Sequence, residues 1–287
     1  MTRPYRPGAM LGGVRKAFAS KGDDATFSRF VKLKPGEVDP ATGKVKGQRK
    51  PRRQWTLPGM GHPSIEAGRS LFHRKGVKAV GAVKSVLVSG HCNVKIGRDV
   101  RKGKHFRGYW IFTLTLEERA TCPRSCEHWQ SCYGNNMPFA KRISHRDRDA
   151  LYAAITRDVE RELGRRGRAG VLVRLHALGD FFDRDYVWFW RDLLWKHDRL
   201  AIFGYTAHDP ASEVGFAIGT VKRLFNERFA VRWSNKADED EWSTRTVIEP
   251  FSAPDAVQCP EQVGLVDGCG KCGLCWNTKK NIAFTAH

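Results

Sequence analysis

Long apolar runs are missing from this sequence. The most apolar segments, such as Ala79 to Val88, are short and are interrupted by Lys84. A membrane-spanning helix needs about 20 mainly apolar residues in a row, so none is predicted. The first residues, Met1 to Arg15, are basic and rich in glycine and proline, and they lack the apolar centre of a secretory signal. We therefore expect a cytoplasmic protein with no membrane partner.

Acidic residues are scarce in the first 110 positions. This part carries 25 lysines and arginines against 6 aspartates and glutamates, whereas residues 111 to 287 carry 25 against 24. The net charge of +20 therefore belongs almost entirely to one region. A basic segment of this density suits the neutralisation of nucleic-acid phosphates. We expect residues 1 to 110 to contact nucleic acid, DNA in preference to RNA; the alternative is a solvated tail.

Regular periodicity is also weak at the start of the chain. Residues 1 to 60 are punctuated by glycine and proline, and Lys44 to Arg53 is strongly basic, which is typical of an arm. Ser85 to Ser89 has a strand pattern, and the basic stretch Lys95 to Gly108 after it predicts a hairpin or loop over the nucleic acid. We divide the chain into a basic N-terminal extension (1–109), a core (110–250) and a cysteine-rich C-terminal segment (251–287).

The core alternates strand and helix patterns, which indicates an α/β fold with a parallel sheet. The predicted strands are Trp110 to Leu116, Val171 to Ala177, Leu200 to Thr206, Phe229 to Ser234 and Thr244 to Glu249. The predicted helices cover Leu151 to Leu163, Asp185 to His197 and Ser212 to Phe225. Five strands with intervening helices favour a partial or complete parallel β/α barrel, with a doubly wound sheet as the alternative.

Seven of the eight cysteines fall into two groups, and a reducing compartment would keep their thiols free to bind metal. The first cysteine group, in TCPRSCEHWQSCY, consists of Cys122, Cys126 and Cys132. The second cysteine group, in CPEQVGLVDGCGKCGLCW, consists of Cys259, Cys269, Cys272 and Cys275. Both groups are predicted to be metal ligands.

The spacing of the second cysteine group favours an iron-sulfur cluster. Two residues separate Cys269 from Cys272 and Cys272 from Cys275, and Cys259 lies further away in the sequence. Ferredoxins bind their clusters with this type of spacing. Gly268, Gly270 and Gly273 would let backbone amides turn towards the sulfurs. Zinc is the alternative metal, although structural zinc sites usually pair two C-x2-C units across a longer loop. Cys92 and His128 are spare residues that could complete either group.

The first cysteine group directly follows the first predicted core strand. Three thiolates leave one coordination position open, which is typical of a reactive metal site. In number and position the three cysteines resemble the radical S-adenosylmethionine (SAM) superfamily, although its usual spacing is C-x3-C-x2-C and this loop is three residues longer. Leu178-Gly179-Asp180, after the second strand, resembles the family's Gly-Gly-Glu motif. The CPEQ and CGLCW segments are similar to radical-SAM-like proteins of phages and prophages.

This resemblance implies a cofactor set and a chemistry. In the family, three cysteines hold a [4Fe-4S] cluster whose free iron binds SAM, and an electron donor drives cleavage of SAM to a 5′-deoxyadenosyl radical that removes hydrogen from the substrate. Gly179 and Asp180 would then contact the amino group of SAM. With a second cluster in the second cysteine group, the chain would hold two [4Fe-4S] clusters.

Polar residues inside the predicted strands indicate a pocket. Alternation along the second strand places Arg174, His176 and Asp180 on one face, although buried parallel strands are normally apolar on both faces. We expect these three residues to be catalytic, with a buried salt bridge as the alternative. Arg232 and Ser234 repeat the pattern on the fourth strand and are expected to help bind the cofactor.

Three functions follow from these patterns. The leading hypothesis is a radical-SAM-like iron-sulfur enzyme that modifies nucleic acid. The second is a zinc-containing base-exchange enzyme of the glycosylase or transglycosylase type, in which Asp180 acts as nucleophile or acid-base group. The third is a non-catalytic, metal-stapled nucleic-acid-binding protein. The polar strand interiors favour the enzymes, because a simple binder needs only a basic surface.

Overall fold

A computed structural model describes two strands near the start of the chain and most residues from 61 onwards. The described ranges are 14–18, 28–32, 61–93, 95–236, 243–247 and 255–285. The chain divides into two units, Met1–Thr56 and Leu57–His287. In the first unit, β1 (Val14–Phe18) pairs antiparallel with β2 (Ser28–Lys32). The rest of the predicted arm, 1–60, lies outside the described residues.

The second unit begins with short elements. They are α1 (Pro63–Glu66), α2 (His73–Gly76), β3 (Val77–Lys78), β4 (Val88–Ser89), β5 (Trp110–Leu114) and β6 (Arg142–Ile143), with 3-10 turns at Val80–Ala82, Gly90–Cys92 and Tyr133–Asn136. β4 pairs antiparallel with β5, which confirms the predicted hairpin. Ile96 and Val100 between them are buried. The part of the predicted extension from residue 61 on therefore packs in the same unit as the core.

The helices and strands of the core follow. They are α3 (Arg148–Arg165), β7 (Val171–Leu175), α4 (Arg184–Lys196), β8 (Leu200–Thr206), α5 (Glu213–Leu224), β9 (Phe229–Ser234) and β10 (Ser243–Val247). The five predicted strands and three predicted helices are confirmed, with ends shifted by a few residues. Asp147, Asp183 and Ser212 cap the helices, each accepting from the backbone N–H three residues on.

The cysteine-rich segment adds two strands and two single-turn helices. They are β11 (Ala256–Gln258), α6 (Cys269–Cys272), α7 (Leu274–Asn277) and β12 (Asn281–Thr285). β12 pairs in parallel with both β10 and β11, so the segment extends the main sheet. None of the helices in the described ranges is long and apolar enough to span a membrane.

The main sheet has eight strands in the order β11-β12-β10-β9-β8-β7-β5-β4. All neighbouring pairs are parallel except β4 with β5. From β5 through β7, β8, β9 and β10, each later strand adds beside the previous one without a reversal of direction. The predicted α/β fold with a mostly parallel sheet is therefore confirmed.

The two faces of the sheet have different coverings. Val171, Val173 and Leu175 of β7 face a core built with α3, α4 and α5. Leu172 lies on the opposite face, where Phe203 packs against Trp276 of the C-terminal segment with ring centroids 4.8 Å apart. The sheet is therefore sandwiched between helices on one side and the cysteine-rich segment on the other.

Candidate functional site

The loop that carries the first cysteine group lies over the carboxyl ends of several strands. The hydroxyl of Tyr133 donates to the carbonyl oxygen of Ala177, just beyond β7. Asn235, just beyond β9, donates from Nδ2 to Glu127 Oε2 at 2.9 Å. His128 Nε2 lies 2.9 Å from the Thr246 hydroxyl on β10. Parallel α/β folds place their ligands at this edge, so the loop stands where a reactive site is expected.

A buried charge network holds this loop in place. Glu118 accepts from Arg142 at 2.5 and 3.0 Å and from the Ser70 hydroxyl at 2.7 Å. Arg119 donates to the carbonyl oxygen of Trp129 at 2.9 Å and to Asn135 Oδ1 at 2.6 Å. The charged side chains of this network are all buried. They tie the loop to its own base without the help of the cysteines.

Sequence reasoning missed this network, although a signal was present. Glu117, Glu118 and Arg119 directly follow the predicted strand Trp110 to Leu116, and three consecutive charged residues there require partners. Glu117 pairs with Arg69 at 2.6 Å. The partners Arg69 and Arg142 are distant in the sequence, so periodicity could not identify them.

The two motifs of the predicted cofactor site are in direct contact. The N–H of Asp180 donates to Thr121 Oγ1 at 3.1 Å, and the N–H of Leu116 donates to the carbonyl oxygen of Leu178 at 2.9 Å. Gly179 has φ +87°, and a Cβ there would lie 2.7 Å from Thr121 Oγ1. Only glycine tolerates both the backbone conformation and the close approach. Leu178-Gly179-Asp180 therefore packs against the start of the first cysteine loop.

Asp180 and Cys122 form an environment that favours a cation. Asp180 is buried, and its Oδ1 and Oδ2 accept from the N–H groups of Phe181 at 2.8 Å and Ala207 at 2.7 Å. Burial raises the pKa of Asp180, opposed by the charge of His208 and by these hydrogen bonds. Burial raises the pKa of Cys122 well above its usual value, and the charge of Asp180 adds to this. A metal or ammonium ion nearby would favour both anions.

The other members of the first cysteine group share this property. Burial raises the pKa of Cys132 to about 11, and the charge of Glu118 contributes. Burial also raises the pKa of Cys126. Of the spare residues, His128 contacts Thr246 and Cys92 is exposed. The first cysteine loop thus offers three thiols as candidate donors.

The second cysteine group lies on the face of the sheet opposite α3, α4 and α5. Its four thiols line one cleft together with Pro260, Trp276 and Ile282. Gly273, at φ +69°, joins α6 to α7 in a left-handed turn. The indole Nε1 of Trp276 is buried and has no hydrogen-bond partner among the described residues. An N–H donor of this kind suits a sulfur acceptor.

Burial also disfavours the thiolates of the second cysteine group. It raises the pKa of Cys269 to about 12 and raises the pKa of each of the other three thiols. The cysteines are free thiols, and within the described ranges no group of three or more His, Cys, Asp or Glu side chains is arranged to hold a metal ion. The sulfur-only donor sets of both groups fit iron-sulfur clusters, and the four-sulfur set also fits zinc.

Arg174 and His176 point to different sides of the sheet, so the prediction that they share a face is wrong. The Arg174 guanidinium lies 5.5 Å from the ring centroid of Tyr205, whose hydroxyl is 3.0 Å from Cys275 Sγ. His176 Nε2 lies 3.1 Å from the hydroxyl of Tyr186 on α4. Side chains alternate between the two faces only within a strand. β7 ends at Leu175, so the alternation does not extend to His176. Burial lowers the pKa of His176 to about 3.

Arg232 contacts the C-terminal segment. It is fully buried and donates from Nε to the carbonyl oxygen of Cys275 at 3.0 Å and from Nη1 to that of Lys280 at 2.9 Å. Ser234 ends β9, where it pairs with Thr244 of β10. The structure therefore places Arg232 beside the second cysteine group, and the cofactor-binding roles of Arg232 and Ser234 stay predictions.

Comparison with known proteins gives a similarity to a phage protein. No protein-family model matches the chain. No solved structure matches it. The chain is 28% identical over 141 residues to the Gene 88 protein of Mycobacterium phage L5, a match that covers 42% of this chain and 56% of the phage protein. The chain thus spans about half the length of this relative. The match shows similarity to a phage protein without assigning an activity.

Proposed function

We propose that this protein is a radical-SAM-like iron-sulfur enzyme that modifies nucleic acid, with DNA as the preferred substrate. The contact between the loop of the first cysteine group and Leu178-Gly179-Asp180 carries the proposal. Two motifs that are far apart in the sequence meet at one edge of the sheet, as the superfamily resemblance requires. The region where they meet brings the thiol of Cys122 close to the buried carboxyl of Asp180.

The strand order supports a partial β/α barrel for the core. β5, β7, β8, β9 and β10 follow one another side by side, whereas a doubly wound sheet reverses direction at its switch point. In barrels of this kind, ligands bind at the carboxyl ends of the strands. The first cysteine group and Asp180 both lie at that edge.

Each side chain of the pocket has a proposed role. Cys122, Cys126 and Cys132 would hold the cluster, which when bound supplies the electron for reductive cleavage of SAM. Asp180 would accept a hydrogen bond from the SAM ammonium group, and this contact would offset the burial that now raises its pKa.

Arg174 and His176 are proposed to act on opposite sides of the sheet, near its carboxyl edge. The Nε of Arg174 is buried and has no hydrogen-bond partner in the described ranges, so it could bind an anionic group of SAM or substrate. Burial lowers the pKa of His176 to about 3, so its ring stays neutral. This ring would position the backbone between His176 and Asp180. The second cysteine group, with four ligands, would hold a closed cluster that is structural or that passes electrons from a donor protein.

Anaerobic reconstitution followed by iron analysis and a SAM cleavage assay tests the proposal. We expect iron and sulfide in the protein and production of 5′-deoxyadenosine when a reductant is added. Cys126→Ala should abolish this product. Cys92→Ala is the matched control, because Cys92 is exposed and belongs to neither group. Stoichiometric zinc with no 5′-deoxyadenosine would contradict the proposal.

The zinc-containing base-exchange enzyme is the second candidate, and the environment of Asp180 favours it to a lesser extent. A buried carboxyl whose pKa is raised by its burial suits a general acid-base role. In that case Asp180→Asn should abolish base exchange or glycosidic cleavage while zinc stays bound. An Asp180→Asn protein that retains full activity would exclude this candidate.

A further inference from the structure

A strongly basic loop lies between β4 and β5. The basic loop, Lys95–Gly108, contains Asp99 as its one acidic residue. Its exposed cations are Lys95, Arg98, Arg101, Lys102, Lys104 and Arg107. Among the described residues, its ion pairs join Arg98 and Arg101 to Asp99, each at 3.5 Å, and His105 to Glu227 at 3.5 Å. The remaining cations of the basic loop are therefore available to an external anion.

The base of the basic loop is a regular hairpin, but its tip depends on the second cysteine group. The N–H of Val100 donates to the carbonyl oxygen of Tyr109 at 2.9 Å. Beyond this pair, the N–H of Arg101 donates to the carbonyl oxygen of Gly270 at 2.7 Å, and the N–H of His105 donates to Asn277 Oδ1 at 3.1 Å. The tip is thus hydrogen-bonded to the segment between Cys269 and Asn277.

The same segment also contacts the beginning of the basic loop. The N–H of Cys269 donates to the carbonyl oxygen of Lys95 at 2.7 Å, and the N–H of Gly270 donates to that of Ile96 at 3.0 Å. A Cβ on Gly270 would lie 2.2 Å from the carbonyl oxygen of Asp99. The cysteine segment therefore contacts the basic loop both at its beginning and at its tip.

A metal bound by the second cysteine group would therefore constrain the shape of the basic loop. α6 and α7 have four residues each, and helices this short are not stable on their own. Ligation of Cys269, Cys272 and Cys275 to one metal centre would fix both turns. The backbone groups that hold the basic loop would be fixed with them.

We propose that the basic loop is a binding surface for the phosphate backbone of nucleic acid, and that metal in the second cysteine group sets its shape. This inference rests on the proposed function and deepens it by naming the contact surface and what controls it. Nucleic acid is favoured over an anionic membrane because the tip lacks exposed apolar side chains. Its one large apolar residue, Phe106, packs on Tyr109 with ring centroids 5.2 Å apart.

Charge removal from the tip tests the surface. The triple variant Lys102→Gln/Lys104→Gln/Arg107→Gln should bind a short fluorescein-labelled DNA duplex about tenfold or more weakly than wild type. The slope of log K against log salt, measured between about 50 and 200 mM, should fall by about 2 to 3. Fluorescence anisotropy with the anaerobically reconstituted full chain measures both quantities.

A charge-matched control separates this surface from the effect of total charge. The triple variant Arg168→Gln/Lys196→Gln/Arg223→Gln removes three exposed cations on or next to the helices that cover the other face. It should leave the affinity within about twofold of wild type and change the salt slope by less than about 1. An equal loss in both triple variants would overturn the surface proposal.

Asn277→Ala tests the dependence on the second cysteine group. Asn277 donates to the carbonyl oxygen of Gly273 and accepts from the N–H of His105, so its loss should loosen the tip while all four thiols remain. We expect unchanged metal content and several-fold weaker DNA binding. Asn136→Ala, at an exposed position near the first cysteine group, is the control and should bind DNA as wild type does. Chelator-treated wild-type protein should bind weakly, like Asn277→Ala.

The outcomes distinguish failure of this inference from failure of the proposed function. If wild type binds DNA but the tip variants and metal removal leave the affinity and salt slope unchanged, the inference is wrong and the nucleic-acid contact lies elsewhere. If wild type shows no salt-dependent DNA binding, the proposed nucleic-acid substrate is wrong as well. Binding to phosphatidylserine vesicles as tight as binding to DNA would overturn the choice of nucleic acid.

Discussion

The two cysteine groups differ in what surrounds them more than in how many sulfurs they contain. The first stands at the carboxyl edge of the sheet, beside Asp180, on a loop braced by the buried pair Glu118–Arg142. The second lies on a face of the sheet, on two single turns of helix joined by Gly273. The first group's loop is held by ion pairs between buried side chains, whereas the second group's turns are held mainly through their backbone, by Arg232 and by the basic loop.

This difference assigns separate tasks to the two groups. A loop that keeps its shape without metal can present an incomplete coordination shell to a ligand, which is what a reactive centre requires. A segment that depends on metal for its shape is typical of a structural site, where binding energy contributes to folding. The predictions below test this contrast.

The largest expected effect is on stability after loss of one thiol. Cys275→Ser should lower the free energy of unfolding by on the order of 5 kcal/mol or more, because a metal bound by the second group would stabilise the fold. Cys126→Ser should cost about 1 kcal/mol or less, because the first loop has its own supports. Urea unfolding of anaerobically reconstituted proteins measures both values. Equal losses would remove the distinction between the groups.

A somewhat smaller effect is expected from the support of the first group. Arg142→Met leaves Glu118 buried without its ion partner and should cost about 3 to 5 kcal/mol. Adding Glu118→Leu should recover much of this loss, since the uncompensated charge is then gone. Iron content of the second group should stay the same in both proteins. A loss below about 1 kcal/mol for Arg142→Met would show that the network does not hold the loop.

The pH dependence of the free energy of unfolding, through His176, gives a third test. The pKa of His176 is about 3 in the folded protein against 6.5 for an ordinary histidine. Above pH 6.5 both folded and unfolded chains carry it neutral, so it has no effect on stability there. As pH falls from 6.5 towards 3, the unfolded chain gains the proton first, and stability should fall by up to about 1.4 kcal/mol per pH unit.

His176→Gln isolates this contribution because glutamine does not titrate. Its stability, measured by urea unfolding at several pH values, should fall less steeply below pH 6.5 than that of wild type. A parallel pH dependence for the two proteins would mean that His176 is not held neutral by its surroundings.

The smallest expected effect concerns Tyr205. Its hydroxyl lies 3.0 Å from Cys275 Sγ, so Tyr205→Phe should remove one hydrogen bond to the second group and cost about 1 kcal/mol. The first cysteine group should be unaffected, with SAM cleavage within about twofold of wild type. Loss of SAM cleavage in Tyr205→Phe would instead show that the two groups are coupled.

Much of the fold was accessible from the sequence because its signals are local. Apolar periodicity identified the strands and helices of the core, and Ser212 marked a helix start. Residues whose roles depend on distant partners were not accessible. Arg142 pairs with Glu118 across 24 positions, and Arg232 donates to the carbonyl of Cys275 across 43. His176 was placed on the wrong face because alternation was extended past the end of β7.

The central claim is that the first cysteine group is an open, reactive iron-sulfur site beside Asp180. Electron paramagnetic resonance of the reduced, anaerobically reconstituted full chain, recorded with and without SAM, tests it most directly. We predict a spectrum that changes when SAM is added, with the change lost in Cys126→Ala and kept in Cys92→Ala. A cluster spectrum in wild type that SAM leaves unchanged, or a SAM-dependent change that persists in Cys126→Ala, would contradict the claim.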